Sequence, residues 1–543
     1  MSRATSAGWL SAWLTPRVDT PVDDRPPDPD RPEANGRRAW GWGPQWVVAV
    51  VCFGAYLALS WGRWRRMGAP SWDLGIFTQA VKGYANLTGP IVDLLGPGRT
   101  QLGEHFSPLL VVLAPFYKVF PSPVTLLVAQ CLLLALSIVP VMMTARRLLG
   151  DIPAVLLGAA YGLSWGFQSG VDAQFHEYAL AVPLLAFGLW ALLLRRWGLT
   201  AVFTLLLLGV KEDLGFNVLV IGALVFGQAL LRRRRARRAG GPDGGRGDLA
   251  AEPDDGVTDD TARQLRFGRL TALAGLLGTV LILFVLIPAF SPDGSWGFWN
   301  KLDDGTPGPT GLSETLTDLT DKVLTALTPN QKVNTLALLA ALTIGSCVFS
   351  PLALIAVPTL LWRFLSNNHY YWGSDWHYSM ILMPILFMAA IDALRKLRRS
   401  VSRPVRLYAF LVPAFAFSFA LVTCLVFPLK DIWQPESYQP PPRAGEAAAV
   451  LALIPDGASV ATDASSIMDI VTNHTVYWFW TVRDHGVTPD YFLLDPQAGY
   501  GDNDPGDPAA MAESYFPDTH FVTIYDITQS GDVKGYRLAQ RQG

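Results

Sequence analysis

The amino-acid sequence predicts a polytopic α-helical membrane protein with a small α/β domain at its C-terminal end. Of the 543 residues, 50% are hydrophobic and only 16% are charged, and a soluble protein of this length would have difficulty burying so much apolar surface. Apolar runs of about 20 residues, the length that crosses a hydrocarbon core of about 30 Å, recur up to residue 428. Beyond that point, short strand-like runs separated by turn signals replace them.

About eleven apolar segments are candidates to cross the membrane. They lie at residues 44–62, 122–145, 151–169, 176–194, 198–210, 214–231, 268–290, 334–349, 350–366, 377–394 and 406–428. Arginines follow several even-numbered segments, most densely at residues 232–238, and positive charge collects on the cytoplasmic side of a membrane. We therefore expect a multi-pass plasma-membrane protein with a cytoplasmic N-terminus. The apolar run at 108–120 is too short to cross and is expected to lie on the outer face as an interfacial helix.

Three further regions complete the predicted organisation. Residues 1–40 contain a Pro- and Asp-rich tract and no long apolar run, which predicts a disordered cytoplasmic tail before a membrane domain at 41–428. Residues 239–262 are expected to form a flexible, glycine-rich cytoplasmic linker. Residues 430–543 follow an odd number of crossings, which predicts an extracytoplasmic α/β domain. Within it, we expect a helix at 444–453 and strands at 459–462, 490–494, 521–525 and 535–538.

One carboxylate lies at the predicted membrane surface, soon after the first apolar segment. Residues 72–79 read Trp-Asp-Leu-Gly-Ile-Phe-Thr-Gln, and the predicted topology places Asp73 on the outer side. The same topology places further ionisable groups at outward helix ends. The complete set is Asp73, Glu104, His105, Asp172, His176, Glu177, Lys211, Glu212, Asp213, His369, Asp375 and His377. An ordinary polar helix end explains any one of them, whereas their convergence on one face predicts a substrate-binding site.

The Lys-Glu-Asp sequence at 211–213 is the most informative of these clusters. The apolar segment before it, at 198–210, reaches only about 20 Å as a helix and cannot cross the hydrocarbon core. Three ionisable groups in lipid would be very unfavourable, so they are expected to face a cavity and to find partners there. The structural alternative is a Lys–carboxylate pair that braces a break between helices.

Two other sets of residues leave alternatives open. Asp172 and His176 are four residues apart and would share a helical face if the following helix starts early. In the loop at 369–377, His369, Asp375 and His377 are metal ligands by type, but the aromatic residues between them favour sugar stacking or a membrane-interface belt. The presence of a metal is thus left unknown, and no cofactor is expected.

Three arginines break the charge pattern by lying on the outer side. They are Arg63, Arg65 and Arg66, directly after the first apolar segment. They are either snorkelling anchors of that helix or candidates to bind a lipid phosphate.

Several classes of function find no support in the sequence. There is no phosphate-binding Gly-rich loop, no nucleophile elbow and no dinucleotide fingerprint. The net charge of −2 and the placement of arginines in short loops give no reason to expect a nucleic-acid partner. The four cysteines all lie in apolar runs and predict no disulfide framework.

The motifs at these positions resemble a bacterial membrane family called domain of unknown function 2079. The resemblance covers about residues 55–500. The motifs that carry it are Asp73 in its Trp-Asp-Leu-Gly context, Gly-Glu-His-Phe-Ser-Pro at 103–108, Phe-His-Glu at 175–177, Lys-Glu-Asp at 211–213 and His-Tyr-Ser at 377–379. That family in turn is similar to the C-type membrane glycosyltransferases, in which many members carry two neighbouring acids in the first outer loop. Here Asp73 stands alone in the motif, and Asp93 is distant.

This resemblance implies a transferase that moves a sugar from a polyprenyl-phosphate carrier to an envelope glycan, lipid or protein on the outer face of the lipid bilayer. Asp73 stands where the family's catalytic carboxylate stands, and Lys211 is a candidate to stabilise the departing phosphate. Two other classes remain open, a transporter or flippase of an envelope precursor and a non-catalytic envelope assembly protein. For Asp73 itself, the structural alternative is a cap on the surface helix that follows it.

Overall fold

The architecture was analysed in a computed structural model, which describes residues 43–66, 72–239, 255–298, 329–440, 443–463, 467–496, 506–526 and 535–542. The predicted cytoplasmic tail at 1–40 lies outside the described residues. So does most of the predicted linker at 239–262, but a helix already begins at Asp255, inside that stretch.

The described chain is mainly helical up to residue 423, and a small sheet follows. The α-helices are α1 Gly43–Arg65, α2 Trp72–Ala85, α3 Gln101–Glu104, α4 Ala114–Val119, α5 Pro123–Leu149, α6 Asp151–Gly162, α7 Trp165–Asp172, α8 Tyr178–Leu193, α9 Trp197–Leu205, α10 Leu214–Ala239, α11 Asp255–Leu281, α12 Ile287–Phe290, α13 Asn330–Ala341, α14 Val357–Leu365, α15 Leu382–Leu397, α16 Arg403–Thr423, α17 Ala444–Leu451, α18 Ile467–Ile470, α19 Phe479–His485 and α20 Pro508–Tyr515. Short 3-10 turns lie at Asp93–Leu95, Pro108–Leu113, Leu206–Gly209, Ser346–Phe349, Pro351–Ala356, His369–Tyr371, His377–Ser379, Pro428–Trp433 and Pro435–Tyr438, and a π-turn at Ile282–Leu286 joins α11 to α12.

Five of the described helical segments are long and apolar enough to cross a membrane. They are Gly43–Arg65, Pro123–Leu149, Leu214–Arg235, Asp260–Phe290 and Arg403–Thr423. The predicted helical membrane architecture is confirmed, but the predicted count of eleven crossings is not. Several of the expected spans are shorter or interrupted, as at 151–169, where α6 ends at Gly162 and α7 begins at Trp165.

Helices α10 and α11 pack so closely that their backbones touch. A Cβ atom added to Gly222 would lie 2.2 Å from the backbone nitrogen of Ala272, and one added to Gly268 would lie 2.4 Å from that of Phe226. Only glycine permits this approach, which is the usual way in which membrane helices associate without a hydrophobic driving force. The pair forms a rigid wall beside the cavity described below.

The helix before Lys211 is short, as the sequence predicted. Helix α9 and the 3-10 turn after it end at Gly209, and α10 begins at Leu214. The intervening residues 211–213 form a break between two apolar helices. This break holds three ionisable side chains inside the protein.

The predicted interfacial segment at 108–120 is helical, with a 3-10 turn at Pro108–Leu113 followed by α4. One side of it, including Leu110 and Tyr117, is buried, whereas Phe116 and Phe120 on the other side are more than half exposed. This two-sided pattern is typical of a helix that lies along an apolar surface. Its position relative to the bilayer stays a prediction.

The C-terminal region contains the small sheet that the sequence predicted. Its strands are β1 Ser459–Thr462, β2 Thr475–Trp478, β3 Tyr491–Leu494, β4 Phe521–Asp526 and β5 Arg537–Arg541, in the order β2-β1-β3-β5-β4. Strands β1, β2 and β3 are parallel, and β5 is antiparallel to both β3 and β4. Four strands were expected; β2 was missed although its Thr-Val-Tyr-Trp sequence has high strand propensity.

The sheet region docks directly onto α2, the helix that carries Asp73. The Gln79 side chain donates to the carbonyl oxygen of Val476 at 2.8 Å and accepts from the backbone N–H of Leu94 at 3.1 Å. The Trp72 and Trp478 rings meet edge to face with centroids 4.8 Å apart. Helix α2 and the C-terminal sheet therefore lie on the same side of the protein.

Candidate functional site

A cavity of about 900 Å³ lies where α2, the loop after α3, the break before α10, helix α14 and the loop before α15 converge. It is lined by nine of the twelve ionisable residues that the sequence singled out. We call these residues the cavity cluster, and they are Asp73, Glu104, His105, His176, Glu177, Lys211, Glu212, Asp213 and His377. Segments as far apart in the sequence as Asp73 and His377 thus bring their polar groups to one place.

Asp73 is the carboxylate of this cluster that opens most clearly to the cavity. It lies in the first turn of α2, and its side chain is 48% exposed. Its Oδ2 atom is 3.2 Å from Nε2 of His176, whose side chain is only 3% exposed. Desolvation by the surrounding protein raises the pKa of Asp73, but the hydrogen bond and charge of His176, with Lys211 and His105 beyond it, lower that pKa below its usual value. Asp73 is therefore a carboxylate at neutral pH.

The ionisable groups at 211–213 all find partners in the wall. Lys211 forms an ion pair with Glu177, which is buried. Glu212 is also buried and accepts from Nδ1 of His105 at 2.7 Å. Buried charges persist only when they are paired in this way. The prediction that Lys211 lines a cavity and pairs with another charge is confirmed by this geometry.

Asp213 occupies a different environment in the same wall. One of its oxygens accepts from the Tyr178 hydroxyl at 2.9 Å and from Nε1 of Trp362 at 3.1 Å. Two neutral donors thus hold this carboxylate in place, which suits a supporting role.

Two histidine rings stack at the edge of the cluster. The centroids of His176 and His377 are 3.4 Å apart, and the ring planes are inclined by 21°. Both residues are buried. His377 comes from the 3-10 turn before α15, so this contact ties that loop to the segment after α7.

Another part of the cavity lining is apolar. Its side chains come mainly from α10 and α14, with one from the π-turn between α11 and α12. They are Phe216, Leu219, Val220, Leu283, Pro358, Leu361 and Leu365. The cavity therefore has one wall of ionisable groups and one wall that suits a hydrocarbon chain.

Four of the other predicted residues lie away from the cavity wall. Asp172 accepts a hydrogen bond from Arg63. The guanidinium groups of Arg63 and Arg66 each lie 3.8 Å from the carboxylate of Asp431. We call Arg63, Arg66, Asp172 and Asp431 the ion-pair brace. Arg65 is exposed at the end of α1. Asp172 ends α7 and α8 begins only at Tyr178, so Asp172 and His176 do not share one helical face.

His369 and Asp375 also lie outside the cavity lining, although their neighbours Tyr370, Tyr371 and Trp376 belong to it. Within the described part of the chain, no three His, Cys, Asp or Glu side chains are arranged to hold a metal ion. The aromatic side chains of this loop contribute to the cavity lining, and the Tyr370 and Trp376 rings meet edge to face.

Sequence reasoning missed one glutamine that holds the site together. Gln130 donates from Nε2 to the carbonyl oxygens of Gly170 and Gln174, and its Oε1 accepts from the backbone N–H of His176 at 3.1 Å. A polar residue inside the apolar segment 122–145 was the available signal, because such residues in membrane helices usually have a specific partner.

Among solved structures, ArnT from Cupriavidus metallidurans in the apo state is similar with a TM-score of 0.48 and 13% identity, covering 91% of this chain and 96% of that chain. The same ArnT bound to undecaprenyl phosphate is similar with a TM-score of 0.48 and 12% identity, covering 91% of this chain and 97% of that chain. The oligosaccharyltransferase of Archaeoglobus fulgidus in the apo form is similar with a TM-score of 0.42 and 12% identity, covering 86% of this chain and 70% of that chain. No curated protein sequence matches the chain.

A family model gives the broader assignment. It is described as predicted membrane protein (DUF2079), and it matches residues 63–518. The matched region contains α2, every residue of the cavity cluster and most of the C-terminal sheet. The chain therefore belongs to this membrane-protein family.

Proposed function

We propose that this protein transfers a sugar from a polyprenyl-phosphate carrier to an envelope acceptor on the outer face of the membrane, with Asp73 as the general base. The observation that carries the proposal is the half-exposed Asp73 carboxylate on the wall of a cavity whose lining also includes many apolar side chains. A lipid-linked sugar needs both environments, one for its hydrocarbon chain and one for its phosphate and sugar.

In the proposed reaction, Asp73 takes the proton of an acceptor hydroxyl as that oxygen attacks the anomeric carbon of the donor sugar. The bond between the anomeric carbon and the phosphate oxygen breaks, and its electron pair leaves with the polyprenyl phosphate. Because phosphate is already a good leaving group, the protein needs a base and positive charge more than a general acid. A carboxylate with a lowered pKa is in the proton-accepting form at neutral pH.

The positive charge would come from Lys211 and His105, which lie near enough to influence the ionisation of Asp73. Their partners Glu177 and Glu212 would keep both cations in place while the anion is absent. The lipid chain would lie along α10 and α14, against Leu219 and Leu361. Arg63 and Arg66 are less suited to the phosphate, because the ion-pair brace already engages them.

The test compares Asp73→Asn with the wild type in a deletion strain. Asparagine keeps the shape and most of the hydrogen bonding but cannot accept the proton, so transfer should fall by about 10²-fold or more. Polyprenyl-phosphate sugars and envelope glycans are measured by mass spectrometry at equal amounts of folded protein in the membrane. The donor should accumulate in the deletion strain and with the variant, and it should be consumed with the wild type.

Asp93→Asn is the matched control. Asp93 lies in the same outer region, its Oδ1 accepts from the backbone N–H of Gly98 at 2.9 Å, and it does not line the cavity. This variant should transfer like the wild type. If Asp73→Asn and the wild type give equal donor and glycan levels, the base role is refuted. Unchanged lipid-linked sugars in the deletion strain would refute the transferase as a whole and favour a transporter or an assembly protein.

A further inference from the structure

Arg363, on helix α14, is completely buried without an acidic partner. None of its surface is exposed. Among the residues that the structure describes, no carboxylate forms an ion pair with it. Burying a cation is costly unless other polar groups take the place of water and of a counter-ion. The hydrogen bonds of this guanidinium therefore identify the part of the chain that offsets the cost.

Those hydrogen bonds go to the loop between α14 and α15, residues 366–381. Nε of Arg363 donates to the carbonyl oxygen of Tyr371 at 2.8 Å, and Nη2 donates to that of Gly373 at 2.9 Å. Nη1 donates to Oγ of Ser379 at 3.2 Å. Because the guanidinium is a planar, rigid fork, these bonds fix the first part of the loop relative to its end.

This loop also carries side chains that line the cavity. Tyr371 and His377 both belong to the lining. The ring of His377 stacks on that of His176, with centroids 3.4 Å apart, and Nε2 of His176 lies 3.2 Å from Oδ2 of Asp73. A displacement of the loop would therefore reach the surroundings of the Asp73 carboxylate through one stacked pair of rings.

We propose that Arg363 is a positioning residue that holds His377 against His176 and so shapes the cavity wall beside Asp73. Arg363 acts through the loop, because it is not itself among the residues that line the cavity. A lysine would keep the positive charge, but its N–H bonds spread from one atom and cannot reproduce the planar fork. The geometry of the fork, rather than its charge alone, thus holds the loop. The effect on transfer rests on the proposed function, whereas the position of the loop does not.

The test measures the contact between the two stacked rings by NMR. The full-length protein, labelled with ¹³C and ¹⁵N at its seven histidines, is reconstituted in lipid without any donor or acceptor. The two signals are assigned by their loss in His176→Asn and in His377→Asn. Rings whose centroids are 3.4 Å apart should give a strong through-space cross-peak in the wild type. The absence of this cross-peak from the wild type would overturn the proposal.

Two variants weaken the hold on the loop. In Arg363→Lys the cross-peak should lose most of its intensity, because the fork is gone while the charge remains. Ser379→Ala keeps the arginine and removes only one of its acceptors, so it should fold and lose part of the intensity. A cross-peak of wild-type strength in either folded variant overturns the proposal. If Arg363→Lys does not fold, Ser379→Ala decides alone.

Two matched controls separate this role from a general loss of stability. Arg406 on α16 is also a buried arginine that donates to loop carbonyls, those of Ser400 at 2.6 Å and Val401 at 2.9 Å, and it does not line the cavity. Arg406→Lys should lower the thermal stability and leave the cross-peak unchanged. Ser374→Ala removes another hydroxyl of the same loop, one that contacts Asp375 instead of Arg363, and should also leave it unchanged. A loss in either control as large as that in Arg363→Lys would overturn the specific role of Arg363.

Transfer is measured separately on the same variants. If the proposed function holds, Arg363→Lys should lower transfer per folded molecule, whereas Arg406→Lys should not. Equal transfer by Arg363→Lys and the wild type would overturn the effect of this positioning on the reaction. A wild type without transfer, together with a cross-peak that is lost in Arg363→Lys, would reject the function and leave this inference standing.

Discussion

The cavity cluster and the ion-pair brace both combine carboxylates with basic side chains, and the chain passes from one to the other between Asp172 and His176. In the brace, two arginines face two carboxylates that are only 20% and 14% exposed. In the cavity cluster, Asp73 is 48% exposed, and its neighbour His176 also contacts a backbone carbonyl. A closed set of matched charges stabilises a fold, whereas an open carboxylate beside a cavity is available for chemistry. For the aspartates, which occur in both sets, the difference lies in their surroundings.

The largest expected effect concerns the pair of Lys211 and Glu177, which is the closed part of the cavity cluster. Lys211→Met leaves the Glu177 carboxylate buried without its cation, so the free energy of unfolding should fall by about 3–5 kcal/mol. Thermal unfolding of the detergent-solubilised protein measures this loss. The double variant Lys211→Met with Glu177→Gln removes the stranded charge and should recover most of it. If the double variant is no more stable than the single one, the pairing is not what holds this break together.

Within the brace, Asp172→Asn should reduce stability and leave the chemistry unchanged. Arg63 loses its main partner but retains Asp431, and both positions are partly exposed. The expected loss lies between that of a surface pair and that of a buried one, about 1–3 kcal/mol. Transfer per folded molecule should equal that of the wild type. A loss of transfer at equal folded amounts would place Asp172 in the site and erase the contrast between the two clusters.

The pH dependence of transfer should distinguish an open carboxylate from a braced one. Because the pKa of Asp73 is lowered, this carboxylate stays ionised through the neutral and mildly acidic range, and the rate should fall only as the pH drops through that pKa. His176→Asn removes the main lowering influence and leaves desolvation, which raises the pKa. The acidic limb of the rate profile should therefore move to higher pH. An unmoved limb would mean that His176 does not govern the ionisation of Asp73.

Much of the helical layout could be predicted from the sequence, because apolar length and turn chemistry are local properties. The helix after Asp73, the short helix before Lys211 and the strand at Ser459–Thr462 all appear where the pattern indicated, although the first was expected at the surface and is largely buried. The assembly of the cavity was only partly predictable. Charge counting grouped residues by side of the membrane, but it could not separate Asp172 from His176, because a single turn with one left-handed residue divides them.

The contacts between distant segments could not be predicted from the sequence, for a physical reason. Gln130 reaches Gln174 across 44 residues, and the side chain of Gln79 meets the backbone of Val476 across 397. Local propensity carries no information about such pairs, since their geometry depends on how the helices pack. The position of the C-terminal sheet against α2, the helix that carries Asp73, likewise depends on how the helices pack.

The smallest expected effect isolates the turn that separates the two clusters. Gln174→Gly and Gln174→Ala both remove a buried side chain, so they share that loss of packing. Alanine keeps the steric cost of the left-handed conformation at this position, about 1–2 kcal/mol. Glycine does not have this cost, but it makes the unfolded chain more flexible, which lowers the stability of the glycine variant by about 0.4–1 kcal/mol. Gln174→Gly should therefore be the more stable of the two by about 1 kcal/mol, as measured by thermal unfolding of both variants under the same conditions. Both keep the carbonyl that faces His176, so both should transfer like the wild type after correction for folded amount. If Gln174→Ala proves as stable as Gln174→Gly, the turn has relaxed in the absence of the native Gln174 side chain. The segment would then not be rigid enough to direct Asp172 and His176 into separate clusters.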